Sequence, residues 1–516
     1  MDTRDIARHY DHIPYTSRPF PQSHPQRMAA LGRLFGLTPP NLSNCKVLEL
    51  GCASGGNLIP LAAAFPDAQF VGIDLSGVQI AEGQARITRL GFKNIRLINM
   101  SIADVTTGLG AFDYIICHGV YSWVPLEVRD AILRVAHDNL SEHGMAYISY
   151  NVYPGWRLRT VLRDAMLFHS STADDPAEKI ARGRDFLDKL GTLSNASSAY
   201  GQLLRQEAGN MAKLEDDYIA HEYLEANNDP CYFADFVKRA EIFDLSYLTE
   251  SELHLTIAEN FGAETGALLR SLSANGLERL EQYIDFLTGR TFRQSLLVRR
   301  EQAHRIGRVL NPQSIAGLHL STGLAPDPEI QSDSFIFKDR TQRTLTTTSP
   351  AVRDAVSRLA RMYPLTATPD ELVNKSGGAH NDQDKRDIER SLFNMVMAGI
   401  ADISSVPFVA SATVEPRPTA LPLARADARH GQTWTTNVRH ETVPLGLVAR
   451  AVLPMLDGTN SQTELIRKVQ ALVAEGAITF HKDGEKLLES EQIDAAIDNH
   501  ISDALSGFRR AALLVA

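Results

Sequence analysis

The sequence has no apolar run approaching the roughly 18 residues that a membrane-spanning helix needs. Its opening, MDTRDIARHYDHIPY, is polar and lacks the apolar core of an export signal, so a cytoplasmic location is expected. Cysteine is scarce. Cys45, Cys52, Cys117 and Cys231 form no CxxC pair, which argues for reduced, buried thiols. Clustered metal ligands are also lacking. His221-Glu222 begins like an HExxH zinc helix, but its fifth position is Glu225, and His9 and His12 have no further ligand pair, so no metal is expected. Basic residues are not in excess. A net charge of −10 argues against nucleic acid or an anionic membrane as a partner. No repeat of fixed period is present.

What is there is a chain of 516 residues, 44% hydrophobic and 22% charged, long enough for about two to four domains. Short apolar runs alternate with helical patterns from residue 46 onward. Strands are expected at Lys46–Leu50, Gln69–Ile73, Ile95–Ile98, Phe112–Cys117 and Gly144–Tyr150. Helices are expected near 25–35, 57–65, 76–90 and 125–140; Ser76 with Gln79 makes a capping box for the third. This alternation predicts a parallel sheet covered on both faces. After Trp156 it stops, and 157–228 reads as a helical insertion. It resumes with a helix at 232–243 and strands at 245–248 and 291–298.

The organisation expected is therefore an N-terminal lid segment over 1–28 and a catalytic α/β domain over 29–300 with its helical insertion. A winged-helix-like domain over 301–410 and a mostly helical domain over 411–516 follow. Three helical patterns closed by a strand at 403–406 suggest the winged helix, and 411–440, rich in Pro, Ala, Arg and Thr, reads as a linker or extended arm.

The chemistry centres on Val47-Leu48-Glu49-Leu50-Gly51-Cys52-Ala53-Ser54-Gly55-Gly56. A strand ends in a glycine bend and a helix begins, which builds a cofactor crevice at the carboxyl edge of a parallel sheet. Gly51, Ala53 and Gly56 loosely match the GxGxxG of dinucleotide folds, but Ala53 stands where a pyrophosphate wants glycine. S-adenosylmethionine (SAM) uses more of the residues. Its amino-acid end carries an ammonium, for which Glu49 is placed, and its ribose hydroxyls suit Asp74 at the end of the second strand. Leu75, Ser101 and Ile102 belong to the same cofactor edge, with Asp104 a further candidate for the adenine amino group. The loops after strands four and five, His118 to Pro125 and Asn151 to Trp156, are rich in aromatics, which attract sulfonium and ammonium groups.

Several long phrases resemble one family. FDYIICHGVYSWVP, YISYNVYPGW, HEYLEANNDPCYFADF and FLTGRTFRQSLLV are similar to bacterial class I SAM-dependent methyltransferases with a methyltransferase regulatory domain. The N-terminal YDHIPYTSRPFPQSHP and the C-terminal RPTALPLARADARHGQ, TNVRHETVPL and LPMLDGT extend the likeness over nearly the whole chain. The resemblance implies a Rossmann-like methyltransferase sheet with helical insertions, followed by mostly helical, winged-helix-like domains. It also implies SAM as cofactor, with Glu49, Gly51, Gly55 and Asp74 in the cofactor site and Ala53 where many members have glycine. The family includes rickettsial protein lysine methyltransferases that modify an outer-membrane protein, so the resemblance implies lysine methylation of a protein substrate.

Methyl transfer is a direct displacement, so the enzyme must align the reacting atoms and exclude water. A lysine acceptor must be neutral, which an aromatic, partly dry pocket favours. Tyr121, Tyr150 and Tyr153 offer hydroxyls to orient the amine. His118 is either a base or a cofactor contact, the latter being favoured. Trp123, Asn151, Tyr153, Trp156, His221 and Tyr223 are the expected acceptor-pocket residues, and Tyr10, Tyr15 and Phe20 the expected lid. From 301 to 516 there are 23 Lys and Arg against 26 Asp and Glu, which favours protein docking, through substrate recognition or a homodimer, over DNA binding. The alternatives are methylation of a small molecule, a non-catalytic SAM-binding regulator, and an NAD-dependent oxidoreductase.

Overall fold

The computed structural model describes residues 16–515, apart from positions 174, 226, 275, 328–333, 375–380, 483, 484 and 488. Tyr10 and Tyr15, expected in the lid, lie outside the described residues. The strands β1 (Lys46–Leu50), β2 (Gln69–Asp74), β3 (Ile95–Asn99), β4 (Phe112–Cys117), β5 (Leu140–Asn151), β6 (Leu245–Glu250) and β7 (Phe292–Arg299) form one sheet in the order β3-β2-β1-β4-β5-β7-β6. Successive side chains enter opposite cores, as the two-residue period of a strand requires. Val47, Phe70, Tyr114 and Tyr147 face one core, and Leu48, Val71, Ile115 and Ile148 the other. Because both faces are covered, the strands read as continuous apolar runs.

The sheet is mixed, where alternation alone predicts a parallel one. β1 to β5 pair in parallel, but β7 runs antiparallel to both β5 and β6. A single crossover helix returns a chain to the amino edge of a sheet. After β6 the chain instead passes through two helices, Ala263–Ser273 and Leu277–Thr288. It re-enters at the carboxyl edge, where Val152 N–H donates to the Thr291 carbonyl at 2.9 Å.

β5 starts four residues before its expected position, and the preceding helix Leu126–Asp138 stops short of Leu140. Asn139 ends that helix, because its amide donates to the carbonyls of Thr106 and Gly110 at 3.1 and 2.8 Å. The helical insertion is realised as Gly155–Ser170, Pro176–Leu193, Ala199–Met211 and Asp216–Tyr223, with a small core of its own around Leu162, Met166, Leu187 and Ile219.

Helices Pro350–Met362, Pro369–Asn374 and Asp382–Met397 realise the three patterns expected before 406. Their core, including Val356, Leu359, Ile388 and Leu392, is continuous with one face of the sheet. The expected linker at 411–440 is instead folded. It holds helix Pro422–Arg429 and the first strand of a hairpin, Trp434–Thr436 paired with Thr442–Pro444. Its backbone is satisfied by the far end of the chain, with Leu421 N–H donating to the Leu513 carbonyl at 2.8 Å. A proline-rich composition misleads here because Pro422 occupies a helix first turn, where its missing N–H costs nothing.

Beneath β6 and β7 lies a buried charge cluster. Arg293, fully buried, donates to Asp285 at 2.9 and 2.8 Å, to Glu281 at 2.8 Å and to Glu250 at 3.1 Å, and lies 3.7 Å from the centre of the Phe233 ring. Removing one member of such a cluster leaves uncompensated buried charge. Arg293→Ala is expected to cost about 3–5 kcal/mol, read as a lowered midpoint in urea unfolding. A midpoint within error of the native chain would mean that the carboxylates find other partners.

Candidate active site

β1 delivers Glu49 and ends at a bend that leads into helix Leu58–Ala64. Gly51 adopts φ +76°, and a Cβ there would stand 2.4 Å from Val120 Cγ2, so both conformation and space require glycine. Ala53 holds a left-handed φ of +47°, which alanine adopts at a cost of roughly 1–2 kcal/mol. The Ala53 N–H donates to Asp74 Oδ2 at 2.8 Å, and the Ser76 N–H to Oδ1 at 2.9 Å. Asp74 thereby ties the end of β2 to the bend.

Glu49 is 3% exposed. Its Oε1 accepts from Asn57 Nδ2 at 2.9 Å, and its Oε2 has no hydrogen-bond partner among the described residues. Burial pushes its carboxyl up to about 8; the Asn57 hydrogen bond opposes the shift and nearby Asp74 adds to it.

A cavity of about 560 Å³ opens along the carboxyl edge of the sheet. Of the expected cofactor residues, Glu49, Gly51, Ala53, Asp74, Leu75, Ser101, Ile102 and His118 line it. Gly55 does not. Its φ of +75° shapes the bend from behind, against Leu97 and Ile59. Of the expected acceptor residues, Trp123, Asn151, Trp156 and His221 line the same cavity.

Four tyrosines are placed elsewhere. Tyr150 is buried with its hydroxyl 2.9 Å from Ser295 Oγ, and Ser295 donates in turn to Glu250. Tyr121 packs edge-on against Tyr150 and Phe236. Neither lines the cavity, so neither serves as the catalytic hydroxyl expected of it. Tyr150 points to one face of β5, and Tyr121, in a short 3-10 turn after β4, packs into the same apolar core. Tyr153 stacks under Arg157 with its ring centre 3.8 Å away, and Tyr223 belongs to the core of the insertion.

His118 is half-buried between Phe20, stacked at 3.8 Å, and the Tyr147 hydroxyl, 2.9 Å from Nδ1. Burial lowers its pKa to about 3, so it is neutral at pH 7 and poorly suited to take up a proton. Phe20 belongs to a strap that crosses the glycine bend. Gly56 N–H donates to Ser17 Oγ at 2.7 Å, and a Cβ on Gly56 would lie 2.3 Å from the Ser17 carbonyl oxygen.

Sequence reasoning misses Ser17, Asn57, Arg159, Glu222, Glu225 and Phe292 as cavity residues. His221 and Glu225, four apart at a helix end, have Nδ1 and Oε1 3.2 Å apart. That spacing was a usable signal. Asn57 carried none, since its role depends on partners distant in sequence.

The donor set suits SAM. A buried Glu49 oxygen with no hydrogen-bond partner among the described residues stands where an ammonium is needed, and the Asp74 carboxylate lines the cavity at the end of β2, where it suits vicinal hydroxyls. Leu75, Met100 and Ile102 provide an apolar wall for a base.

Comparisons with known proteins agree with this geometry. A family model described as a methyltransferase domain matches residues 48–146, a "Predicted methyltransferase regulatory domain" matches 215–299, and a "PKMT, C-terminal winged helix domain" matches 416–513. The winged-helix match thus falls on the region read from sequence as a linker and mostly helical domain, rather than on 301–410. The uncharacterized protein RP789 of Rickettsia prowazekii (strain Madrid E) is 32% identical over 99% of this chain and 95% of its own length. RP028 of the same organism is 40% identical over 45% of this chain and 93% of its own. The structure of PKMT2 from Rickettsia typhi in complex with AdoHcy superposes with a TM-score of 0.88 at 28% identity, covering 98% of this chain and 100% of that one.

A carboxyl held near 8 is mostly protonated at pH 7, and an ammonium beside it favours the ionised form. Binding of S-adenosylhomocysteine (AdoHcy) at pH 7 should therefore release about one proton, and affinity should rise with pH up to about 8. Calorimetry in buffers of different ionisation enthalpy measures this. Glu49→Gln should abolish the release, and a native chain that exchanges no proton would remove Glu49 from the ammonium site.

Proposed function

The chain belongs to the bacterial class I SAM-dependent methyltransferases that carry a methyltransferase regulatory domain, and from that premise we propose that its acceptor is a lysine side chain of a protein. In this reading Glu49 holds the amino-acid end of the cofactor and Asp74 its ribose. The observation that carries the acceptor assignment is the part of the cavity lined by one indole and two carboxylates, Trp123, Glu222 and Glu225, with fully buried Trp156 packed behind Trp123. Indole faces and carboxylates together favour an alkylammonium over a hydroxyl or an anionic acceptor. Similarity to a rickettsial PKMT over the full length adds support.

When bound, SAM supplies a methyl group already activated by its sulfonium. The chain's residues must then hold the amine in line, keep water out and take one proton from it. Trp123 and Trp156 meet nearly edge to face, 6.1 Å between ring centres, and form an apolar wall. Burial pushes Glu222 up to about 7, opposed by Arg159, whose Nη1 is 3.8 Å from Oε1. A carboxylate with that pKa accepts a proton from a desolvated lysine ammonium more readily than an ordinary glutamate does. The neutral amine would then take the methyl carbon as its bond to sulfur breaks, giving a methylammonium, and the single proton released would rest on Glu222 before passing to solvent.

Incubation of the purified chain with methyl-labelled SAM and lysate proteins should place label in protein bands, with methyllysine recovered on hydrolysis. Label confined to small-molecule extracts would overturn the lysine reading. Glu222→Gln should lower turnover at least tenfold and remove the inflection near pH 7 from the rate profile while leaving AdoHcy affinity unchanged. A profile that keeps its inflection would assign the proton acceptor elsewhere.

A further inference from the structure

Asn57 is the point at which three distant segments meet. Its Oδ1 accepts from the Phe20 N–H at 2.9 Å and lies 2.7 Å from His440 Nε2. Its Nδ2 donates to Glu49 Oε1 at 2.9 Å and to Ser23 Oγ at 3.2 Å. A backbone N–H can only donate, so Phe20 fixes which end of the Asn57 amide is oxygen. The proton in the His440 contact must then sit on Nε2. The ring is buried, and burial pushes its pKa well below the usual imidazole value, so it carries that single proton. Every hydrogen-bonding position of the Asn57 side chain is thereby used, and one of the four holds Glu49.

His440 comes from the C-terminal hairpin, in the turn between Trp434–Thr436 and Thr442–Pro444. The turn is built to present it. Asn437 Oδ1 accepts the N–H groups of Arg439 and Glu441, both at 2.9 Å, and His440 takes a left-handed φ of +61°. The hairpin is clamped beside the cofactor loop. The guanidiniums of Arg18 and Arg86 lie 5.1 and 5.5 Å from the Trp434 ring centre, and Arg86 pairs with buried Asp427 at 2.8 Å. Arg18 belongs to the strap over the glycine bend, and Arg86 to helix Gly77–Leu90, which follows β2.

We propose that His440 is a positioning residue for the cofactor site: through Asn57 it holds the Glu49 carboxylate, so that the C-terminal winged-helix region forms part of the cofactor cradle and its docking is coupled to cofactor binding. The inference rests on Glu49 as the partner of the cofactor ammonium. It is independent of which acceptor the enzyme methylates.

The full-length chain tests it by AdoHcy calorimetry. His440→Asn keeps a residue that tolerates left-handed φ but is too short to reach Asn57, and His440→Gln restores the reach and an N–H donor. The Asn variant should bind AdoHcy about tenfold more weakly, the Gln variant within about threefold of the native chain. In turnover the Asn variant should raise the KM for SAM and leave kcat at saturation unchanged. Reciprocity requires that AdoHcy slow amide exchange across 437–441 in the native chain, a measurement that needs no variant. A folded Asn variant with native AdoHcy affinity, or exchange at 437–441 indifferent to AdoHcy, would overturn the proposal. Glu49→Gln separates the two readings. If it too binds AdoHcy normally, the ammonium site falls along with the relay; if it alone weakens binding, Glu49 stands and the coupling falls.

Discussion

The site is organised by one buried carboxylate that its own protein half satisfies. Glu49 has one oxygen on Asn57 and the other without a partner among the described residues, inside a cavity wall. An unpaired anion at that depth is costly, so burial favours the protonated acid. A cationic ligand reverses that preference. The same burial that makes the free site uncomfortable therefore makes it selective for a ligand that brings positive charge to this point.

Holding the carboxylate requires more than the β1 bend. The strap at residues 16–24, the helix that opens at Leu58 and the hairpin at 434–444 all meet at Asn57. The fold pays for this convergence with strained or crowded positions: Ala53 and His440 at positive φ, and Gly56 under the strap. The proposed acceptor end is built differently. Trp156, Arg159, His221, Glu222 and Glu225 come from the helical insertion, which has its own small core. In the proposed reading the acceptor end thus draws mostly on the insertion, with Trp123 added from the loop after β4.

Much of this was legible beforehand. The seven strands were found within a few residues, because burial on both faces leaves apolar runs whose shortness and flanking turn residues mark them as strands. Glu49, Gly51 and Asp74 were legible because a strand, a bend and a carboxylate in fixed order are local features. The aromatic loops were legible as composition but not as roles. Tyr150 and Asn151 are successive residues of β5 and point to opposite sides, and the tyrosine falls on the core side; Tyr121 and Trp123 share a 3-10 turn that sends Tyr121 into the same core. The 411–440 segment was misread because its partners, such as Leu513, lie at the other end of the domain.

By itself, then, the sequence determined the strands, the glycine bend, the placing of two acids beside it and the class of chemistry, all of which are written in local patterns of residue type. Only the tertiary structure decided the reversal of β7, the burial of Tyr121 and Tyr150 away from the cavity, the presence of Glu222 and Glu225 in its wall and the reach of His440 to Asn57. Each of these depends on residues tens to hundreds of positions apart. Hydrogen bonds and burial act through space at about 3 Å, and no local pattern records which distant side chain will arrive there.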